Sequence, residues 1–351
     1  MCDGLAEVTE RRALMPRVVG EPAVDPVALA AADEIEITTL VDNSFDGLLP
    51  SQAGVSRASL RMGSVPTLLF EGGHTRAGMV AEHGFSGLVT VSRAGSRASL
   101  LFDTGVSPGG MATNAERLGI DFSELQGVVL SHGHFDHAGG FDGLLRLRRH
   151  RGLPLTVHPA VWTRRRLSLP GADPTELPTL SKGALEREGF EVIERRAPSL
   201  LVEKSVLITG EIDRTTEFER GMPRGHEAWS EGSWSHDPLV IDDQALVVHL
   251  AGRGLVVLTG CGHAGVVNIV RHAMRLTGVD RLCAVIGGFH LGGSAFEPII
   301  QPTVAALREL SPELVVAGHC TGWRAQHALA TALPDAWVPS SAGSSYRLQA
   351  A

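Results

Sequence analysis

From about residue 35 onward, the chain alternates short apolar runs with turns that are rich in glycine and polar side chains. Short apolar runs bounded by such turns are typical of buried strands, whereas longer runs with an apolar face predict helices. We predict strands over 35–41, 88–91, 99–102, 128–130, 155–158, 206–208, 245–250, 254–259, 282–286 and 314–317, and helices over 114–118, 141–150, 267–276 and 302–310.

Pairs of predicted strands alternate with predicted helices along the chain. This order indicates an α/β protein with two sheets flanked by helices, a four-layer αββα sandwich. We assign residues 1–34 to an N-terminal arm and 35–351 to a single domain, because no linker divides the second segment. Residues 213–238 form a long polar stretch with two tryptophans, which we interpret as a loop that covers the site.

Polar side chains recur where a predicted strand ends in a glycine turn, and they are densest in Ser-His-Gly-His-Phe-Asp-His-Ala-Gly-Gly at 131–140. Two histidines at i and i+2 can point to one side of an extended segment, and an Asp-His pair can follow them as the chain turns into a helix. We expect His132 and His134 to bind one metal ion, and Asp136 and His137 a second. Imidazole and carboxylate ligands favour two zinc ions, with manganese or iron as alternatives.

Charge and composition narrow the class of protein. A formal net charge of −8 gives no electrostatic reason to bind nucleic acid or an anionic membrane. The N-terminus does not resemble a signal peptide, and no apolar stretch of about 20 residues predicts a membrane span. The four cysteines suggest no disulfide framework. We therefore expect a cytoplasmic enzyme with a small-molecule substrate. The sequence leaves open whether it forms a homo-oligomer.

The motif His132-Gly-His134-Phe-Asp136-His137, directly after a predicted strand, resembles the signature of the metallo-β-lactamase fold superfamily. The resemblance implies that Asp103, in Leu-Phe-Asp-Thr-Gly, orients the metal-binding loop. It also implies three further ligand positions nearer the C-terminus: a third histidine for the first metal, an acid that bridges the two metals, and a last histidine for the second metal. His319 takes the place of the last histidine, Cys261 stands at or near that of the bridging acid, and His263 can reach the same centre.

A narrower branch of this superfamily also resembles the chain over roughly residues 35–347. The stretches that carry this likeness lie at 42–47, 83–86, 259–265, 287–291 and 318–322. Members of the branch are described as similar to 7,8-dihydropterin-6-methyl-4-(β-D-ribofuranosyl)aminobenzene-5′-phosphate synthase.

Cys261 is either a ligand or a small buried side chain in a tight turn, and three further residues also keep alternative interpretations. Glu211 stands where other superfamily members place a third histidine, so it is either a weak ligand or a general base. His290 is a ligand, a proton donor that contacts the substrate, or a packing residue of its turn. Arg214 either binds a phosphate or carboxylate of the substrate or is a solvated surface residue.

The function expected from these features is a dinuclear hydrolase that attacks a small substrate, phosphorylated substrates included, with a metal-activated hydroxide. Asp136 or Glu211 would accept a proton and His290 would protonate the leaving group. The alternative is a metal-templated synthase that forms a C–N bond on a pterin-type substrate. A non-catalytic metal-binding sensor is a third hypothesis, disfavoured because all four ligands of the first motif are present.

Overall fold

The computed structural model of the protein describes residues 26–59, 63–148 and 151–351. Most of the predicted N-terminal arm, residues 1–25, lies outside the described residues. The last part of the arm lies along the sheets: Ala32 is buried and forms an isolated parallel bridge with Leu250.

The described part of the structure contains twenty strands. They are β1 (Glu34–Val41), β2 (Val55–Ser56), β3 (Ser64–Pro66), β4 (His74–Arg76), β5 (Ser86–Arg93), β6 (Ser96–Phe102), β7 (Leu125–Val129), β8 (Leu153–Val157), β9 (Arg165–Leu167), β10 (Thr175–Glu176), β11 (Phe190–Glu194), β12 (Ser199–Leu201), β13 (Val206–Ile208), β14 (His226–Ser230), β15 (Ser233–His236), β16 (Ala245–Leu250), β17 (Gly254–Thr259), β18 (Leu282–Gly288), β19 (Leu314–Gly318) and β20 (Ser345–Gln349).

Seven α-helices accompany these strands in the described ranges, together with short 3-10 turns. They are α1 (Gly110–Leu118), α2 (Phe135–Ala138), α3 (Phe141–Leu147), α4 (Lys182–Glu188), α5 (Val266–Thr277), α6 (Ile300–Leu310) and α7 (Trp323–Ala332).

Two large sheets dominate the fold. The first has eight strands in the order β11-β8-β7-β6-β5-β1-β20-β2, and the second has six in the order β12-β13-β16-β17-β18-β19. Side chains from the inner faces of both sheets form one apolar core, to which Ile37, Phe102, Leu246 and Ile286 contribute. Both sheets are therefore buried on the faces that they turn toward each other.

Helices cover the outer faces, which confirms the predicted αββα sandwich. On the first sheet, Met111 of α1 and Leu144 of α3 pack in one cluster with Leu101. On the second sheet, Ile269 of α5 packs in one cluster with Val257. Strands covered on both faces read as continuous apolar runs, which explains why β17 and β18 were predictable from sequence.

The prediction of a long loop over 213–238 was wrong in its second half. β14 and β15 form an antiparallel hairpin that extends a separate four-stranded sheet, in the order β10-β9-β14-β15. Trp229 and Trp234 stand opposite each other in this hairpin. The C-terminal strand β20 was not predicted, although it pairs with β1 inside the first sheet.

No helix in the described ranges is long and apolar enough to cross a membrane.

The inner core gives a stability prediction. Leu246 is 1% exposed between the sheets, so Leu246→Ala should lower the free energy of unfolding by about 2–5 kcal/mol. Leu48 is 84% exposed, and Leu48→Ala should change that free energy by less than about 0.5 kcal/mol. Urea unfolding followed by circular dichroism measures both, and equal effects would contradict this description of the core.

Candidate metal centre

The predicted metal ligands meet at one edge of the sandwich because they follow strands whose carboxyl ends point the same way. β6 and β7 are parallel, as are β17, β18 and β19. Asp103 follows β6, the His132 motif follows β7, and the segments with Cys261, His290 and His319 follow β17, β18 and β19. The two sheets thus bring ligands from distant parts of the chain to one place.

Three imidazole nitrogens form a small triangle, which we call the first donor set. The Nε2 atom of His132 lies 3.0 Å from Nδ1 of His134 and 3.2 Å from Nε2 of His263. Nδ1 of His134 lies 3.1 Å from the same His263 nitrogen. A tetrahedral zinc with metal–nitrogen bonds of the usual length separates its nitrogen ligands by about 3.3 Å. The triangle therefore has the size that a single zinc ion requires.

Hydrogen bonds on the far side of each ring hold two members of this set in one tautomer. His132 Nδ1 lies 2.9 Å from the Ser131 hydroxyl, which donates to Asp103 at 2.7 Å. His134 Nε2 lies 3.0 Å from His226 Nε2, and the other nitrogen of His226 lies 3.0 Å from the Asp237 carbonyl oxygen. With these partners in place, the lone pairs of His132 Nε2 and His134 Nδ1 point into the triangle.

Asp136, His137 and His319 form a second donor set beside the first. His137 Nε2 lies 3.2 Å from His319 Nε2, and Asp136 Oδ2 lies 3.9 Å and 3.5 Å from those two nitrogens. His137 Nδ1 lies 2.7 Å from Asp103 Oδ2, and His319 Nδ1 lies 3.1 Å from Asn43 Oδ1. These outer partners turn the inner nitrogens of both rings toward the same cation position.

Cys261 lies between the two donor sets. Its sulfur falls within 4.8 Å of His132 and His263 on one side, and of His137 and His319 on the other. Nδ1 of His290 is 3.1 Å from this sulfur, and Sγ of Cys320 is 3.0 Å from it. A thiolate here can contact both cations, so the geometry supports the predicted ligand role of Cys261.

Burial keeps most of these imidazoles neutral. It lowers the pKa well below the usual value for four histidines, which are His132, His134, His263 and His319. Neighbouring imidazoles lower these four pKa values further, and Arg165 also lowers those of His132 and His134. Burial also lowers the pKa of His137, but the carboxylates of Asp103 and Asp136 outweigh it and raise that pKa to about 9. Neutral imidazoles are the form that binds metal ions.

The chemistry of the donors fits two divalent cations. Five buried imidazoles, one carboxylate and one thiol converge here, a set that suits zinc and neighbouring transition metals. Clustered buried acceptors without a cation would leave lone pairs directed at one another. His132, His134 and His263 would hold one ion, Asp136, His137 and His319 the other, and Cys261 would lie between them.

Two predicted site residues have other partners. Glu211 accepts hydrogen bonds from His158, at 3.1 Å, and from Arg196, and none of the ligand groups within the described ranges includes it. Arg214 is half-buried, and its guanidinium donates to the carbonyl oxygens of His263, at 3.0 Å, and Leu239. The structure therefore does not bring Glu211 to the predicted metal ligands, and Arg214 supports the backbone of one of them, His263.

The sequence interpretation missed several supporting residues. Asn43 holds His319 from both sides: its Oδ1 faces His319 Nδ1, and its Nδ2 donates to the His319 carbonyl oxygen at 3.1 Å. His226 supports His134, and His83 Nε2 lies 3.7 Å from Asp136 Oδ2. Asp242 accepts a hydrogen bond from the Gly133 backbone at 2.8 Å. The only signal for Asn43 was its place in the Asp-Asn-Ser-Phe-Asp-Gly turn.

Replacement of Cys261 should change how many metal ions the protein retains. We expect about two equivalents of zinc in the wild type, about one in Cys261→Ala, and two in Cys261→Asp, because a carboxylate can also contact both cations. Cys283→Ala is the matched control, since Cys283 is buried in the sheet core away from the donor sets. Plasma emission spectroscopy after dialysis measures the content. Full zinc content in Cys261→Ala would contradict a ligand role.

The metal-free protein should lose stability in acid. Four histidines have a folded-state pKa below 6.5, so the unfolded chain binds more protons as pH falls below that value, and the fold is destabilised. His137 has the opposite effect on stability because its folded-state pKa is raised. Its contribution to the free energy of unfolding is fully present below pH 6.5 and is lost as pH rises through about 9.

Urea midpoints of chelator-treated protein at a series of pH values measure this balance. His263→Leu should make the acid-side slope shallower, while the exposed control His327→Ala should leave it unchanged. A midpoint that does not vary between pH 7 and pH 5 would contradict the burial of neutral imidazoles.

Several known proteins are similar to this chain in sequence. The sequence model of the Metallo-beta-lactamase superfamily matches residues 81–275, more than half of the chain. A synthase from Methanocaldococcus jannaschii, the 7,8-dihydropterin-6-methyl-4-(beta-D-ribofuranosyl)-aminobenzene-5'-phosphate synthase, is 29% identical over 254 residues, which cover 70% of this chain and 83% of the relative. An uncharacterized protein of the same organism, MJ0448, is 26% identical over 70% of this chain and 86% of its own.

A solved structure agrees with both the fold and the sequence. Tm1679, described as a metal-dependent hydrolase of the beta-lactamase superfamily, superposes with a TM-score of 0.64 at 28% identity, covering 90% of this chain and 99% of its own. The motif at 132–137, the sandwich and these matches lead to one conclusion: the chain belongs to the metallo-β-lactamase superfamily, in the branch that resembles the Methanocaldococcus jannaschii synthase.

Proposed function

We propose that this protein is a dinuclear metal-dependent hydrolase of a small molecule. The observation that supports this proposal is the pair of donor sets with Cys261 between them, where His137 Nε2 of one set contacts His319 Nε2 at 3.2 Å and the three imidazoles of the other converge within 3.2 Å. Two adjacent cations would supply Lewis acidity and a nucleophilic hydroxide at neutral pH.

The protein's own groups would position the substrate and move protons. His290 reaches the site from the end of β18, with its Nδ1 3.1 Å from the Cys261 sulfur, and it lines the cavity beside the metal centre. We assign to it the transfer of a proton to the leaving group. Asp136 is 9% exposed at the same centre, where it can hold a cation and accept a proton.

A synthase is the second candidate function, and one observation favours it. The relative that catalyses synthesis of a pterin-linked aminobenzene phosphate matches 70% of this chain. In that reaction the same donor sets would hold cations that orient two substrates. Incubation of the zinc-loaded protein with a pterin diphosphate and a phosphorylated aminobenzene riboside, followed by mass spectrometry, separates the two candidates. A condensation product without release of hydrolysed substrate would overturn the hydrolase proposal.

Substitutions in the two donor sets test the enzyme itself. His132→Ala should remove metal and lower kcat/KM on phosphodiester, lactone or thioester probes by about a thousandfold or more, because the nucleophile depends on the cations. Glu211→Gln should keep the metal and most of the activity, since Glu211 pairs with His158 and Arg196. The exposed His327→Ala is the control for His132→Ala. Full activity in metal-free protein would contradict the proposal.

A further inference from the structure

Cys320 lies beside the predicted metal ligands but belongs to neither donor set. It is part of the 3-10 turn that follows β19, whereas Cys261 follows β17. Strand β18 lies between those two strands in the sheet. The two Sγ atoms nevertheless approach each other to 3.0 Å. Two sulfur ligands of one tetrahedral zinc are separated by about 3.8 Å, so this pair is closer than a shared zinc ion would hold it.

The end of β18 is shaped so that the two sulfurs can meet across it. A Cβ atom on Gly288 would lie 2.8 Å from the Cys320 sulfur and 2.5 Å from the Gly260 carbonyl oxygen, so only glycine fits there. His290 contacts both cysteines: its Nδ1 lies 3.1 Å from the Cys261 sulfur, and its backbone N–H donates to the Cys320 sulfur at 3.3 Å. The Cys320 thiol donates to the Cys261 carbonyl oxygen at 3.2 Å. These contacts hold the two cysteine side chains toward each other.

The two sulfurs differ in their access to solvent. Cys320 is half-buried, whereas Cys261 is 3% exposed. Cys283, the third cysteine within the described ranges, is buried in the core between the sheets. An oxidant that arrives from solvent therefore reaches Cys320 first, and the adjacent Cys261 is the sulfur that can react with the product.

We propose that Cys261 and Cys320 are a reversible oxidation site, at which hydrogen peroxide joins them in a disulfide. The peroxide O–O bond breaks as the Cys320 thiol takes one oxygen, which gives a sulfenic acid and water. The Cys261 sulfur then attacks the sulfenic sulfur. The S–S bond forms, the S–O bond breaks, and the hydroxide that leaves takes up the Cys261 proton as a second water. The peroxide gains the two electrons that the two sulfurs lose.

The disulfide would remove a donor that lies between the two cation positions. The sulfurs need to approach by only about 1 Å to reach bonding distance. The thiolate is the form of cysteine that binds metal ions, and a disulfide sulfur is not a thiolate. Because the Cys261 sulfur lies within 4.8 Å of imidazoles in both donor sets, its oxidation should weaken the metal centre until a reductant restores the thiol. This effect requires the ligand role of Cys261, but it holds for hydrolase and synthase alike.

Peroxide treatment of the zinc-loaded protein tests the site. A Cys2→Ser background leaves three of the four thiols, those of Cys261, Cys283 and Cys320, and we expect hydrogen peroxide to lower the count of thiols in the denatured chain from three to one. Release of about one equivalent of zinc should accompany this loss. Tryptic mapping without reductant should find a disulfide between the peptides of Cys261 and Cys320. Dithiothreitol followed by zinc should restore both the thiols and the metal.

Two variants in the same background separate this pair from general oxidation. Cys320→Ser can keep both backbone hydrogen bonds, and it should retain its zinc and its thiols under peroxide. Cys283→Ala should still form the disulfide. Background protein that keeps all its thiols, or that gains a sulfinic acid at Cys320 without a disulfide, would overturn the inference. A disulfide that leaves the zinc content unchanged would overturn its connection to the metal centre. Absence of hydrolysis in protein that forms the disulfide would overturn the proposed hydrolase alone.

Discussion

The buried carboxylate of Asp103 connects the parts of the metal centre. Its Oδ2 accepts hydrogen bonds from the Ser131 hydroxyl and from His137 Nδ1, both at 2.7 Å, and its Oδ1 accepts from the Ser131 backbone at 2.7 Å. Through Ser131 it orients His132 of the first donor set, and directly it orients His137 of the second. A single carboxylate thus fixes one ligand for each cation position.

The surrounding backbone is shaped to accept this carboxylate. Asp103 has φ of 60°, a left-handed conformation that aspartate tolerates better than most residues. A Cβ atom on Gly260 would stand 2.6 Å from Asp103 Oδ2 and 2.1 Å from the Ser131 hydroxyl oxygen, so only glycine fits there. This close approach brings the end of β17, and with it Cys261 and His263, against the loop that follows β7.

Similar contacts hold other predicted ligands in place. His319 also has a left-handed backbone, with φ of 47°, and its N–H donates to Asp42 at 2.9 Å while Asn43 faces its ring. His134 depends on His226 in a comparable way. The rings of His132, His134 and His319 have a neutral partner behind them, which keeps the inner nitrogen available at neutral pH. The His137 ring is paired with Asp103, which raises its pKa to about 9, so a cation would have to displace its proton. The Nδ1 atom of His263 has no hydrogen-bond partner among the described residues.

Local sequence determined much of this protein. The apolar runs indicated the sandwich, and the density of metal-competent side chains at 132–137 indicated the candidate metal centre, because spacing within a strand-end turn is a local property. Tertiary structure decided what local spacing could not. It placed His263 rather than Glu211 with His132 and His134, directed Arg214 to the backbone of a ligand, and recruited His226 across 92 residues. Those contacts depend on how two sheets pack, which no short stretch of sequence encodes.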